Sequence, residues 1–316
     1  MSSKLLSYSS TQMGVFGRFV ELLNLYKRQS KNIPQQVSTL IGRLRDAEQT
    51  VYAVAGKRFE GLRVLEIGPG QKLRQTRFFA RRNDVTAIDI DELVQSPNLG
   101  SYWRMLRANG MTRVFKTAAR RWLGIDAAYE AEMTKQLGTP TPTKLDVRRM
   151  DAAAMTFDEQ TFDLVYSYSV FEHLPDSAGV LRDIVRVLRP GGVAYISLHL
   201  YTSDNGCHDA RIFSGQRKNL PLWSHLRAAH APNVRPNSYL NKLRIAEWMK
   251  LFETQMPGTL FRRLKYGEKR LLPEIAKLRA AGELEGYEND ELLTTDFVAV
   301  WRKPDEPRGD DALREA

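Results

Sequence analysis

Residues 63–71 read RVLEIGPGQ, and this stretch decides the fold. Val64, Leu65 and Ile67 give residues 63–67 the character of a buried strand, with Glu66 as its only acid. Gly68-Pro69-Gly70 then forces a tight turn, where glycine tolerates positive φ and lets a ligand approach the backbone. A strand ending in such a turn and leading into a helix is the nucleotide-binding device of open α/β sheets.

The next apolar run, VTAIDID (85–91), carries acids at its end. Asp89 lies 21 residues after Gly68 and 19 after Gly70. An acid about 20 residues beyond the first glycine, at the end of the next strand, is placed to grip a ribose diol. A carboxylate suits this because it accepts two hydrogen bonds from adjacent hydroxyls. Asp91 falls at the start of the following segment and reads as a helix cap.

Working outward, the pattern alternates strands and helices, as in a doubly wound parallel sheet. A basic helix is expected around 72–82, a third strand at 145–150 ending in Asp151-Ala152, and a fourth at 162–169. A helix over 177–188, a turn at Arg189-Pro190-Gly191-Gly192 and a fifth strand at 193–199 follow. Beyond a loop region at 200–242 come a helix at 243–252, a strand at 259–266, a charged helix at 268–281 and a strand at 295–301. Upstream, residues 1–60 read as a helical extension, with one amphipathic helix at 13–29 and another from Pro34 to about Phe59. An insert at 92–144 carries a basic amphipathic helix or helix pair at 102–123, broken near Asn109-Gly110, that reads either as a lid or as a membrane-facing surface. The domain itself is expected over 61–303, with a disordered tail at 304–316.

With 316 residues, the chain can bury a full α/β core and carry an appendage of roughly 60 residues. No apolar run approaches the ~20 residues needed to cross a bilayer. No signal peptide is expected, because Arg18, Glu21 and Asn24 interrupt the first apolar stretch, so a cytoplasmic location is expected. The single cysteine, Cys207, excludes an internal disulfide and a multi-cysteine zinc site. The net charge of +10 is concentrated: residues 210–246 hold seven Lys/Arg and no acid, and residues 92–144 hold eight against four acids. Such a surplus suits a phosphorylated substrate, lipid headgroups or nucleic acid.

The segments VLEIGPG (64–70), TAIDID (86–91), RRMDAAAM (148–155), FDLVYSYSVFEHL (162–174) and VLRPGGVAYIS (187–197), in that order, resemble the class I S-adenosylmethionine-dependent methyltransferases over residues 60–200. The resemblance implies a Rossmann-like seven-stranded sheet whose last strand is antiparallel, and S-adenosylmethionine as cofactor. It places Glu66, Gly68 and Gly70 beside the methionine part of the cofactor and Asp89 on the ribose. Asp151 would accept from the adenine amino group with Ala152 near the ring, and Ser167 would line the pocket near the sulfonium. A dinucleotide dehydrogenase would show the fuller G-x-G-x-x-G spacing, but Leu73 stands where its third glycine belongs.

Methyl transfer requires alignment of acceptor, methyl and sulfur, and a hydroxyl acceptor also gains from a general base. His173, Glu172 and His199 are the candidate catalytic residues, at the ends of the fourth and fifth strands. His199, His208, Asp204 and Asp209 are competent metal ligands, but their spacing matches no metal motif, so the stretch reads as a substrate loop and no metal is expected. Residues 199–243 loosely resemble the substrate region of small-molecule methyltransferases seen beside bacterial glycan-building enzymes. This implies O-methylation of a small molecule or glycan, with an anionic acceptor to meet the basic residues. The alternatives are an RNA or protein methyltransferase and a non-catalytic cofactor-binding scaffold.

Overall fold

The computed structural model describes residues 30–95, 98–213 and 220–305. The helix expected over 13–29 and most of the expected tail lie outside them.

The RVLEI strand, β1 (Arg63–Ile67), sits at the centre of a seven-stranded sheet. The others are β2 (Asp84–Asp89), β3 (Asp146–Arg149), β4 (Phe162–Tyr168), β5 (Leu188–His199), β6 (Leu260–Lys265) and β7 (Thr294–Arg302). Their order is β3-β2-β1-β4-β5-β7-β6. The first five run parallel, whereas β7 pairs antiparallel with both β5 and β6. The strand order therefore reverses between β1 and β4, and a ligand crevice is expected outside the carboxyl ends of those strands.

Alternation along β1 sorts its side chains into two layers. Leu65 and Ile67 join the core formed with α6 (Ser177–Val187) and α7 (Ile245–Gln255). Val64 faces α1 (Ile33–Ala55), α2 (Arg74–Phe79) and α5 (Ile125–Leu137) on the other side. In that second layer Phe79 lies between Phe59, stacked at 4.6 Å, and the edge of Tyr166 at 4.8 Å.

Helix α1 buries Val37, Leu40, Ile41, Leu44, Ala47 and Val51, the stripe that its sequence spacing predicts. It stops at Ala55 rather than near Phe59 because Gly56 takes the left-handed conformation (φ 63) and caps it. The insert contains α3 (Leu99–Asn109) and α4 (Met111–Trp122), broken at Gly110. It also contains α5, which the sequence reading did not separate. Ile125, Tyr129 and Met133 recur every fourth residue there as a narrow buried stripe. Strand β5 begins at Leu188 rather than Val193, since Leu188 pairs with Phe162 and a register shift between Phe162 and Leu164 absorbs the Pro-Gly-Gly segment. A short helix α9 (Asn289–Leu293), also not expected, follows α8 (Glu268–Ala280). The long loop region is anchored by Trp223, fully buried among Leu271, Ile275 and Leu292 of these two helices.

Candidate active site

A cleft of about 1260 Å³ opens at the carboxyl ends of β1, β2, β3 and β4. It is large enough for a nucleoside cofactor together with an acceptor. Gly68-Pro69-Gly70-Gln71 forms one wall, with both glycines at positive φ (71 and 66). A Cβ on Gly68 would lie 2.3 Å from Val170 Cγ2, so this glycine lets the β1 and β4 loops approach each other. A Cβ on Gly70 would meet nothing within 4 Å. The two glycines thus serve different ends: packing, and an open approach to backbone.

Asp89 ends β2 and lines the cleft. Its Oδ2 accepts the Gly70 amide at 3.2 Å and its Oδ1 accepts the Asp91 amide at 2.9 Å. A carboxylate has about four acceptor sites, so two remain for a diol. Burial pushes this carboxyl up to about 6, against the pull of the two amides. Asp151 and Ala152 form the wall after β3, and Asp151 Oδ1 also accepts the Ala153 amide at 2.9 Å, shaping its own turn. Donor and acceptor placement here fits an adenosyl cofactor: a diol acceptor beside an open glycine turn, and a second acid one strand further on.

Two expected cofactor residues lie off the cleft wall. Glu66 alternates to the α1/α2 face of β1, where it is 1% exposed and accepts from Gln75 Nε2 at 3.4 Å. Gln75 is the residue that reaches the cleft. Burial raises the Glu66 carboxyl to about 7. Ser167 is fully buried, donating to the Ile67 carbonyl at 3.3 Å, whereas Ser169, in the left-handed region at φ 54, lines the cleft. Such backbone in a non-glycine residue is stored at functional sites.

The roof comes from elements outside the strand-and-turn motifs. Arg113, Lys116, Thr117 and Arg120 of α4 and Arg43 of α1 line the cleft. Arg113 also pairs with Asp91 at 2.6 Å, which ties α4 to the end of β2. Lys72, on the glycine-turn side, has its ammonium pushed down to about 7 by burial and then by the nearby Arg74 and Arg120. The basic spacing in 102–123 signalled this roof, but its inward face could not be read without the packing of α5.

His173 lines the cleft beside Ser238 and Tyr239. Its Nδ1 lies 2.8 Å from the Tyr239 carbonyl, and burial holds its pKa below the usual value, so it is neutral at pH 7. Glu172 and His199 do not line the cleft; they lie behind His173. The ring of His208 stands between those of His173 and His199, 4.9 Å from each. Asp204 and Asp209 turn elsewhere: Asp209 accepts from Arg211 and from the Arg235 amide.

A sequence model of the family described as "Methyltransferase domain" matches residues 105–196. A probable S-adenosylmethionine-dependent methyltransferase of Mycolicibacterium smegmatis is 34% identical over 79 residues, covering 25% of this chain and 30% of that protein. A sterol 24-C-methyltransferase of Aspergillus fumigatus is 38% identical over 69 residues, 21% of this chain and 18% of that protein. The matches thus span less than a third of either relative. Among solved structures, an S-adenosylmethionine-dependent methyltransferase from Mesorhizobium loti aligns with 78% of this chain and 92% of its own at 13% identity and a TM-score of 0.42. The fold and the site define a Rossmann-like methyltransferase domain. Over the matched residues the chain carries a methyltransferase domain of the class I, S-adenosylmethionine-dependent type, and S-adenosylmethionine is the cofactor such domains use.

Proposed function

We propose that this protein methylates an oxygen of a small-molecule or glycan acceptor that carries negative charge. The observation that carries this reading is a neutral imidazole at one end of a cleft whose other end presents the Gly70–Asp89 pair. When bound, S-adenosylmethionine supplies a methyl group on a sulfonium, a leaving group already installed. Asp89 and the glycine turn hold the nucleoside end, with Asp151 and Ala152 on the adenine side. With its Nδ1 proton donated to the Tyr239 carbonyl, His173 has its Nε2 lone pair to take the acceptor proton. Helices α1 and α4 cover the cleft and exclude water, so alignment rather than strong base chemistry carries most of the rate.

An anionic acceptor is favoured by Arg43 and Lys116 in the roof and by Lys72, which gains its proton most readily beside a negative group. The outer faces of α3 and α4 expose Leu99, Trp103, Met111, Phe115 and Trp122, which suits an acceptor or partner with apolar character, such as a lipid-linked glycan at a membrane surface. No helix among the described residues is long and apolar enough to cross a membrane. A cytoplasmic setting with peripheral membrane contact fits both features.

The test is calorimetric titration with S-adenosylmethionine and S-adenosylhomocysteine on wild type and Asp89→Ala, then labelled methyl transfer to a panel of anionic sugars, RNA and protein. Binding of both cofactors and transfer to a sugar hydroxyl is expected. Transfer to RNA or protein alone would overturn the acceptor class, and binding without any turnover would point to a scaffold.

A further inference from the structure

We propose that Glu172, His173 and His208 hold a divalent transition-metal ion at the acceptor end of the cleft. Glu172 and His173 stand on the single 3-10 turn Phe171–His173 that follows β4, and His208 lies in the loop after β5. That loop holds His208 in the left-handed region at φ 51, with its carbonyl accepting the Asn237 amide at 3.1 Å. Strained backbone of this kind persists only where its surroundings over-determine it.

The three side chains converge. His173 Nε2 lies 3.9 Å and His208 Nε2 4.0 Å from Glu172 Oε1, and one ligand atom from each residue falls within 4.8 Å of the other two. These separations are too long for hydrogen bonds between them. An ion equidistant from three such atoms would lie about 2.3–2.5 Å from each, a small side-chain rotation away from the ~2.0–2.2 Å of zinc bound to imidazole or carboxylate.

Glu172 supplies the second, independent observation. Its side chain is 3% exposed, and among the described residues neither carboxylate oxygen accepts a well-formed hydrogen bond, although the backbone amides of Glu172 and His199 act on it. A buried carboxylate held so weakly is costly, and an ion among the three groups removes that cost. His173 supplies the third. A backbone carbonyl can only accept, so the 2.8 Å contact with Tyr239 puts the ring proton on Nδ1 and leaves a lone pair on Nε2, the atom nearest Glu172. A ligating histidine is commonly oriented by such an outer hydrogen bond. His199 packs edge-on to His208 and directs Nε2 to Asn205 Oδ1 at 2.8 Å, so it buttresses the site instead of joining it.

Two imidazoles and one carboxylate select zinc, ferrous iron, cobalt or manganese over magnesium or calcium, and leave coordination positions open. His173, Ser238 and Tyr239 line the cleft, so an open position is adjacent to the acceptor. There the ion binds the acceptor hydroxyl oxygen and lowers its pKa, and the proton leaves to water in place of transfer to His173. That role rests on the methyltransferase reading; the metal site does not.

The experiment uses the full chain, stripped with a chelator and titrated with Co²⁺ and Zn²⁺. Metal content is read by mass spectrometry and cobalt coordination by visible absorption, for wild type, Glu172→Gln and His208→Asn. S-adenosylhomocysteine binding is measured on the same samples. One ion per chain is expected in wild type, with d–d bands of a four- or five-coordinate nitrogen/oxygen site. Affinity is expected to fall at least tenfold in each variant while S-adenosylhomocysteine still binds. Wild type that takes up no stoichiometric ion, or variants that bind it equally well, overturns the proposal. If a variant does not fold, the wild-type stoichiometry and cobalt spectrum decide it. Metal binding without cofactor binding would count against the methyltransferase reading alone.

Discussion

The amide of Gly70 donates to Asp89 Oδ2 at 3.2 Å, so the turn after β1 and the acid that ends β2 are joined before any ligand arrives. The Asp91 amide occupies the other oxygen, and together the two donors fix the carboxylate plane across the cleft floor. Preorganisation of this kind lowers the ordering cost of binding.

The proposed ribose-binding role of Asp89 predicts a pH dependence of cofactor binding. Its carboxyl is raised to about 6 by burial, so the doubly accepting anion is the major form only above that pH. Affinity for S-adenosylhomocysteine is expected to fall below pH 6, approaching tenfold per pH unit. Asp89→Asn should bind roughly 10- to 100-fold more weakly at pH 7.5, as for the loss of a charge-assisted hydrogen bond, with a flat profile from pH 5 to 7. Titration calorimetry across that range checks both. An unchanged slope in the Asn variant would place the titrating group elsewhere.

Gly68 and Gly70 separate stability from binding. Alanine at 68 must take φ near 71 and place its Cβ 2.3 Å from a methyl of Val170, a stiff β-branched side chain. The expected loss is about 2–4 kcal/mol, from overpacking and left-handed strain together. Alanine at 70 meets only open space, so it should cost about 1–2 kcal/mol of stability while its methyl crowds the ligand. Urea midpoints and cofactor affinity measured on both variants should show the fold suffering more at 68 and binding more at 70.

Much of this was legible because it is local. The glycine turn, the spacing to Asp89, the acid after the third strand and the break at Gly110 are written in short windows. Helix α5 escaped notice because Ile125, Tyr129 and Met133 make a stripe one residue wide among alanines and acids. Pro190-Gly191-Gly192 reads as a turn by composition, but the register shift beside Phe162 keeps it within β5. Glu66 and Ser167 were assigned to the pocket by resemblance, and strand alternation and a carbonyl contact place them behind it. The approach of His208 to Glu172 is of another kind. It depends on a loop crossing from β5 back over β4, and no spacing within either segment announces it.

Glu66 predicts an unusual stability profile. Its carboxyl is raised from 4.5 to about 7, chiefly by burial, so between those values the folded chain binds more protons than the unfolded chain. The sign follows: this residue's contribution falls as pH rises from about 4.5 to 7, by on the order of 2–3 kcal/mol, and stays low above that. Glu66→Gln keeps the shape and removes the buried charge. The variant is expected to gain on wild type with rising pH, most at pH 8 and least near pH 5. Paired urea denaturation at the two pH values reads the difference directly, and a gain that does not grow with pH would refute the assignment.

The two faces of helix α4 do different things. Arg113 and Arg120 on the inner face are held by Asp91 and Asp126, so their charge is spent on docking the helix over the cleft. Met111, Phe115 and Trp122 are 74%, 54% and 86% exposed on the outer face, more apolar area than a free helix in water retains without a use. Burying two aromatic side chains in the bilayer interface is worth about 1.5–3 kcal/mol each at full burial. Phe115→Ser with Trp122→Ser should therefore weaken sedimentation with anionic vesicles at least tenfold. Neither residue touches the cleft, so cofactor affinity should not change. Neutral vesicles should bind wild type only slightly less well, since most of the nearby arginines are already paired. Equal sedimentation of wild type and the double variant would remove the membrane from the account and leave α4 as a lid alone.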